Sequence, residues 1–362
     1  MPIRLRPVFT LPLIAAICLS ACQSGPMPTN RAGLTALGAA VAGVQALKHV
    51  DGEGDMLRLG REAFGAAQKQ GLGLSSQGDL VLNAGQSSGQ LTSPILKAPY
   101  DFDALMPAWN GSGQIEVLVR VSADGKAWGG WLPALPERTM LLPKRAQFIQ
   151  YQLRLSAPAT RLEGLSFQFG RKRPQVAAQR RSHPIPKPAL IDRAGWKAAP
   201  PKSDYTTHTP AAIVVHHTWL PRASQYQQGA SIRGIQRYHM VDNKWMDIGY
   251  HFLIGPEGVI YQGRPETVVG AHSTPNTNYI GICVFGDFDP GQDPFTDASR
   301  AALLDLMTWL TAEYGIQTSE FYGHRDFSNK SCPGDGIYHH LQSFKDEVTR
   351  RLQDAGVLPK GR

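Results

Sequence analysis

The chain has 362 residues, 42% of them hydrophobic and 18% charged, enough for two ordinary domains with cores of their own and incompatible with a largely disordered chain. Its formal net charge of +8 implies attraction to an anionic partner: nucleic acid, anionic lipid or an acidic cell-wall polymer. Much of that charge is local. "RKRPQVAAQRRSHPIPKPAL" (171–190) holds Arg171, Lys172, Arg173, Arg180, Arg181 and Lys187 with no acid, so it reads as a solvated, Pro-rich linker and not as a nucleic-acid patch.

At the start, "MPIRLRPVFTLPLIAAICLSACQSG" joins Arg4 and Arg6 to a short apolar run from Val8 to Leu19, then to small residues before a cysteine. The run is too short to span a bilayer comfortably and is read as a signal peptide over residues 1–21. Its "LSAC" ending resembles the lipobox of bacterial lipoproteins, which implies that Cys22 becomes a lipidated first residue and ties the chain to a membrane. An ordinary secretory signal with an incidental cysteine is the alternative. Gln23 is compatible with the outer membrane of a Gram-negative envelope, facing the periplasm.

Residues 22–79 read as a tether with a short helical segment. Leu34, Leu37, Val41, Val44 and Leu47 recur at helical spacing, and a second helical stretch is expected from Met56 to Lys69, after "DGEGD". No chemistry is legible there. From about Leu80 the apolar period becomes two: Ile115, Val117, Val119 and Val121; then Ile149, Tyr151, Leu153 and Leu155; then Leu165, Phe167 and Phe169. This predicts an all-β, sandwich-like accessory domain over 80–170, with a tight turn at Asp124-Gly125. Trp128 and Trp131 suit half-buried sandwich positions better than a sugar-stacking platform.

After the linker, strands and helices alternate over 191–355, which predicts an α/β domain with a central sheet flanked by helices. "AAIVVHH" (211–217) and "YIGICVFG" are buried strands, "GYHFLIGPEGVIYQGR" (249–264) is strand–turn–strand, and "DASRAALLDLMTWLTAEYG" (297–315) is a helix with Asp297 at its N-cap. Three groups of candidate metal ligands stand at the ends of these elements: His216/His217, His324, and Cys332 eight residues further on. Zinc takes imidazole nitrogen and thiolate sulfur, and a catalytic zinc uses three protein ligands. Adjacent strand residues point to opposite faces, so only one of His216 and His217 can serve.

In order, "IDRAGW", "VVHHTWLP", "IRGIQRYHM", "DIGYHFLIGPEGVIYQGR", "GAHS", "NYIGICVFGDF" and "GHRDFSNKSCPG" closely resemble the N-acetylmuramoyl-L-alanine amidase family that includes peptidoglycan recognition proteins and phage amidases. The resemblance covers roughly residues 190–340. It implies zinc held by His216, His324 and Cys332, catalytic roles for Tyr250 and Lys330, and a substrate-side place for His272. It further implies cleavage of the amide between N-acetylmuramic acid and L-alanine in peptidoglycan, by a monomer. Pro265-Glu266 stands where many recognition proteins have Gly-Trp after the "YxGR" phrase. Tyr250 is one candidate proton acceptor, and Glu257 is the nearest carboxylate in sequence but lies in a turn. The rival readings are a non-catalytic peptidoglycan receptor, a cysteine hydrolase built on Cys332, and a Cys283–Cys332 disulfide.

Overall fold

Alternating apolar residues set the first half of the architecture, and continuous apolar runs set the second. The computed structural model describes residues 44–45, 55–172 and 182–359. The signal peptide, Cys22, most of the 34–47 helical expectation and linker residues 173–181 lie outside the described residues.

In the first half, β1 (Val44–Gln45), β2 (Met56–Leu59), β3 (Gln68–Gln70), β4 (Leu72–Leu74), β5 (Leu80–Leu82), β6 (Ser88–Thr92), β7 (Ile95–Ser122), β8 (Leu132–Ala134) and β9 (Met140–Gly170) join in one nine-stranded sheet, with the short helix α1 (Arg61–Ala66) after β2. The long strands β7 and β9 organise it. Gln114–Ser122 pairs with Phe148–Ser156, and Ala104–Ser112 pairs with Arg161–Gly170, both antiparallel. Between these two ladders the register slips. Gly113 there has φ 86°, and a Cβ on it would lie 2.2 Å from Thr160 Oγ1, so the glycine is what lets the bulge form. The sandwich expected from the sequence is therefore one continuous sheet whose long ladder is broken by a bulge. Ile149, Tyr151, Leu153, Leu155, Leu165, Phe167 and Phe169 are each 1% exposed or less and form its core, as their spacing predicts.

The helix expected over Met56–Lys69 is only partly present, as α1, and of the 34–47 expectation only Val44 and Gln45 are described. Met56–Leu59 is a strand antiparallel to Leu165–Gln168, followed by α1 and then β3, and Val44–Gln45 pairs in parallel with Ile95–Leu96. Over so few residues an apolar run fits either period, and pairing with β9 decides for the strand.

In the second half, β10 (Ala212–His217), α2 (Gly229–Val241), β11 (Phe252–Ile254), β12 (Ile260–Gln262), β13 (Tyr279–Val284), α3 (Asp297–Tyr314), β14 (Phe321–Gly323), α4 (Asp335–Tyr338) and α5 (Leu341–Asp354) follow in turn. The sheet order is β12-β11-β13-β10-β14, parallel except for β12, so this is a mixed sheet with helices. One apolar cluster joins Ile213, Val215, Ile280 and Ile282 to α3 and α5; another joins Leu253 and Cys283 to Ile232 and Ile235 of α2. The sheet is thus covered on both faces, which explains its unbroken apolar strands. The cap of α3 is Thr296, one residue before the expected Asp297: its hydroxyl accepts from Ser299 N at 3.1 Å, and Gly315 (φ 70°) ends the helix. No helix among the described residues is long and apolar enough to cross a membrane.

Both halves lie in one compact unit, Gly43–Arg362. Met56, Met106 and Ala108 pack against Trp245 and Ala271. Arg264, 1% exposed, pairs with Glu137 at 2.8 Å, and Arg58 donates to Asn243 Oδ1 at 2.6 Å.

Candidate metal centre

Parallel pairing of β10 with β14 does the first part of the assembly. Val215 is in register with Gly323, so the next residues, His216 and His324, leave neighbouring strand ends at one level. Such carboxyl ends of parallel strands are where open α/β sheets gather ligands. The two imidazole centroids are 4.5 Å apart. Cys332 comes back to them through a loop that is closed by Arg325 N donating to Cys332 O at 2.7 Å. Its sulfur accepts from His217 N at 3.4 Å and lies 3.8 Å from His216 Nδ1. One ligand atom from each of His216, His324 and Cys332 falls within 4.8 Å of the others.

The structure sends the two histidines of the pair to opposite faces, and His216 is the one that lies with His324 and Cys332. His216 shares the face of Ala212 and Val214, whereas His217 turns towards Phe288 and Asp287 on the α3 side. Cys283 and Cys332 are both buried and form no disulfide among the described residues, so the structure does not carry the disulfide alternative.

The donors fit zinc. Two nitrogens and a sulfur form a common zinc set, and a tetrahedral ion with bonds of about 2.0–2.3 Å sets its ligand atoms roughly 3.3–3.8 Å apart. A histidine ligand must also be neutral. Burial holds His216 and His324 well below their ordinary pKa; next come the charge of His324 acting on His216 and that of Lys330 acting on His324.

His272 completes this geometry from behind. Its Nδ1 is 3.0 Å from His216 Nε2 and its Nε2 is 3.2 Å from Tyr279 O. If His216 offers the Nδ1 lone pair to a metal, its Nε2–H donates to His272 Nδ1, and His272 Nε2–H donates to the carbonyl of Tyr279. Both ring nitrogens are then engaged inside the fold and the residue is 3% exposed, so the structure offers no open nitrogen for the substrate-side place expected of it. A support of this kind typically holds 10- to 100-fold in metal affinity. His272→Ala should accordingly raise the zinc dissociation constant by about that factor without changing the protein:metal stoichiometry, as measured by competition with a chromogenic chelator. An unchanged constant would mean that the ring pair does not orient His216.

Tyr250 lies beside the triad, its ring centroid 5.2 Å from that of His216 and 5.4 Å from that of His239. Glu257 is exposed and accepts from the Tyr226 hydroxyl at 2.7 Å, away from these residues. Lys330 Nζ reaches the site from the same loop as Cys332. Its partner is one that spacing in the sequence did not suggest: Asp55, whose Oδ1 is 2.9 Å away and whose Oδ2 is 3.6 Å from His324 Nε2.

A family model described as N-acetylmuramoyl-L-alanine amidase matches residues 206–335. Peptidoglycan recognition protein 1 of Bos indicus is 33% identical over 164 residues, covering 43% of this chain and 84% of that protein. The Homo sapiens N-acetylmuramoyl-L-alanine amidase is 30% identical over 165 residues, covering 43% of this chain and 28% of that protein. Among solved structures, Drosophila PGRP-LB has 29% identity over 43% of this chain and 93% of that chain, with a TM-score of 0.40.

Proposed function

This chain belongs to the N-acetylmuramoyl-L-alanine amidase family, and from that premise we propose that it is a zinc-dependent peptidoglycan hydrolase. The bond cleaved is the amide between the lactyl group of N-acetylmuramic acid and L-alanine of the stem peptide. One observation carries the reading: two buried imidazoles and a buried thiol converge within 4.8 Å. A binding module has no need of that donor set. Bound there, zinc would lower the pKa of a water to about 7 and polarise the scissile carbonyl.

The chain's own groups do the rest. His216 and His324 stay neutral as ligands because they are buried, and His272 fixes the orientation of His216. The Lys330 ammonium and the Tyr250 hydroxyl are the donors to the carbonyl oxygen as it gains charge. Loss of one such donor typically costs about 100- to 1,000-fold in rate. Cys22 would carry the lipid that anchors the enzyme in the envelope, at the outer membrane facing the periplasm. Palmitate uptake by the wild-type chain and not by Cys22→Ala is the measurement that bears on it.

The enzymatic test is digestion of purified murein. Released peptides with free L-alanine amino termini should be found by mass spectrometry, vanish with a chelator and return with Zn²⁺. Murein binding without release would make the chain a receptor. Release that survives chelation and stops on thiol alkylation would make it a cysteine hydrolase, with Cys332 as nucleophile and His216 beside it.

A further inference from the structure

Asp55 carries a carboxylate from the β-rich half into the metal centre of the other half. Its backbone carbonyl accepts from Phe169 N at 2.8 Å, which fixes it to the end of β9. Its side chain is 1% exposed, with one oxygen 2.9 Å from Lys330 Nζ and the other 3.6 Å from His324 Nε2. Lys330, the group assigned above to the developing oxyanion, therefore already holds an anion. The residues around Asp55 keep it there. Met56 sits in the apolar contact with Trp245 and Ala271, and Arg58 bonds Asn243 and Tyr238 at 2.6 and 2.7 Å. Ser166 Oγ donates to Asn243 O at 2.9 Å, and Arg171 N donates to Phe327 O at 2.9 Å, three residues beyond His324. The triad beneath is closed in: His216, His324 and Cys332 are 1%, 4% and 3% exposed.

We propose that the β-rich half is a built-in inhibitor of the amidase site, with the Asp55 carboxylate occupying the place of the substrate's oxyanion. The proposal rests on the amidase reading above. A carboxylate against Lys330 cancels the charge that would select the oxyanion, and it lies within 3.6 Å of His324, one of the three proposed metal-holding residues. A role for Asp55 as proton acceptor fits less well, because its oxygens face an ammonium and a ligand imidazole and neither opens to solvent. Hydrolysis then requires the Asp55 segment to withdraw. If the open form is a few per cent of the population, removing the latch raises apparent affinity, and with it kcat/KM, by about 10- to 100-fold.

The test compares zinc-loaded full-length wild type with Asp55→Asn, which keeps the volume, and with Arg58→Ala, which loosens the contact without touching the site. Three quantities are read: the rate of zinc removal by 1,10-phenanthroline, affinity for a soluble N-acetylmuramoyl-tetrapeptide, and its turnover. Thermal melts confirm that each variant is folded. Expected for Asp55→Asn are faster zinc removal, tighter muropeptide binding and kcat/KM raised by about tenfold or more, with a smaller change of the same sign for Arg58→Ala. Unchanged removal and binding in both variants would overturn the proposal, and so would lower turnover with full zinc content, which would make Asp55 catalytic. Faster removal and tighter binding with no cleavage by any variant would uphold the latch and sink the hydrolase reading instead.

Discussion

Cys332→Ala should leave a folded chain that no longer retains zinc and that hydrolyses murein more slowly by on the order of a thousandfold or more. The reason is local. The sulfur is 3% exposed, 3.8 Å from His216 Nδ1 and backed by the N–H of His217, so no solvent ligand can replace it without repacking the loop. His216→Ala and His324→Ala should behave alike, because a three-ligand site does not survive the loss of one anchor. Zinc content by plasma mass spectrometry and hydrolysis rate should fall together. Full activity in Cys332→Ala would remove both the zinc account and the cysteine-nucleophile account.

The second large effect is on stability, as a function of pH. His216, His239, His251, His272 and His324 are all buried and all held below the ordinary histidine pKa, chiefly by burial; His239 is pushed down to about 3. The unfolded chain takes up protons below about pH 6.5, whereas the folded chain leaves these rings neutral, so stability is complete above that value and is lost as pH falls. At pH 5.5 each ring costs on the order of 1 kcal/mol relative to pH 8, which in sum is a large share of a typical total of about 5–15 kcal/mol. Urea denaturation midpoints should be flat from pH 8 to 7 and fall steeply by pH 5.5. A flat profile down to pH 5.5 would show that these imidazoles are protonated within the fold.

How much of this was legible in the sequence depends on what sets each feature. For the ligand triad, strand alternation shows only that one of His216 and His217 can serve and the late loop offers His324 and Cys332 in a single short stretch; the choice of these three is what the family resemblance implies. The core face of β9 was legible too, since Leu153, Leu155, Phe167 and Phe169 keep a period of two over enough residues to be unambiguous. Asp55 was not. It lies 275 positions from Lys330, in a stretch that reads as a break between helices, and only the pairing of Met56–Leu59 with β9 carries it to the site. The place of His272 was hidden for a related reason. Sequence puts it near the site, but its contact with His216 Nε2 depends on how the loop before β13 turns beneath β10.

The most direct test of the central claim is X-ray absorption at the zinc edge of the purified full-length chain. The account predicts one zinc per chain with one sulfur at about 2.3 Å and nitrogen or oxygen neighbours at about 2.0–2.1 Å, and loss of the sulfur shell in Cys332→Ala. A chain that binds no zinc, or a zinc shell without sulfur in the wild type, would contradict it.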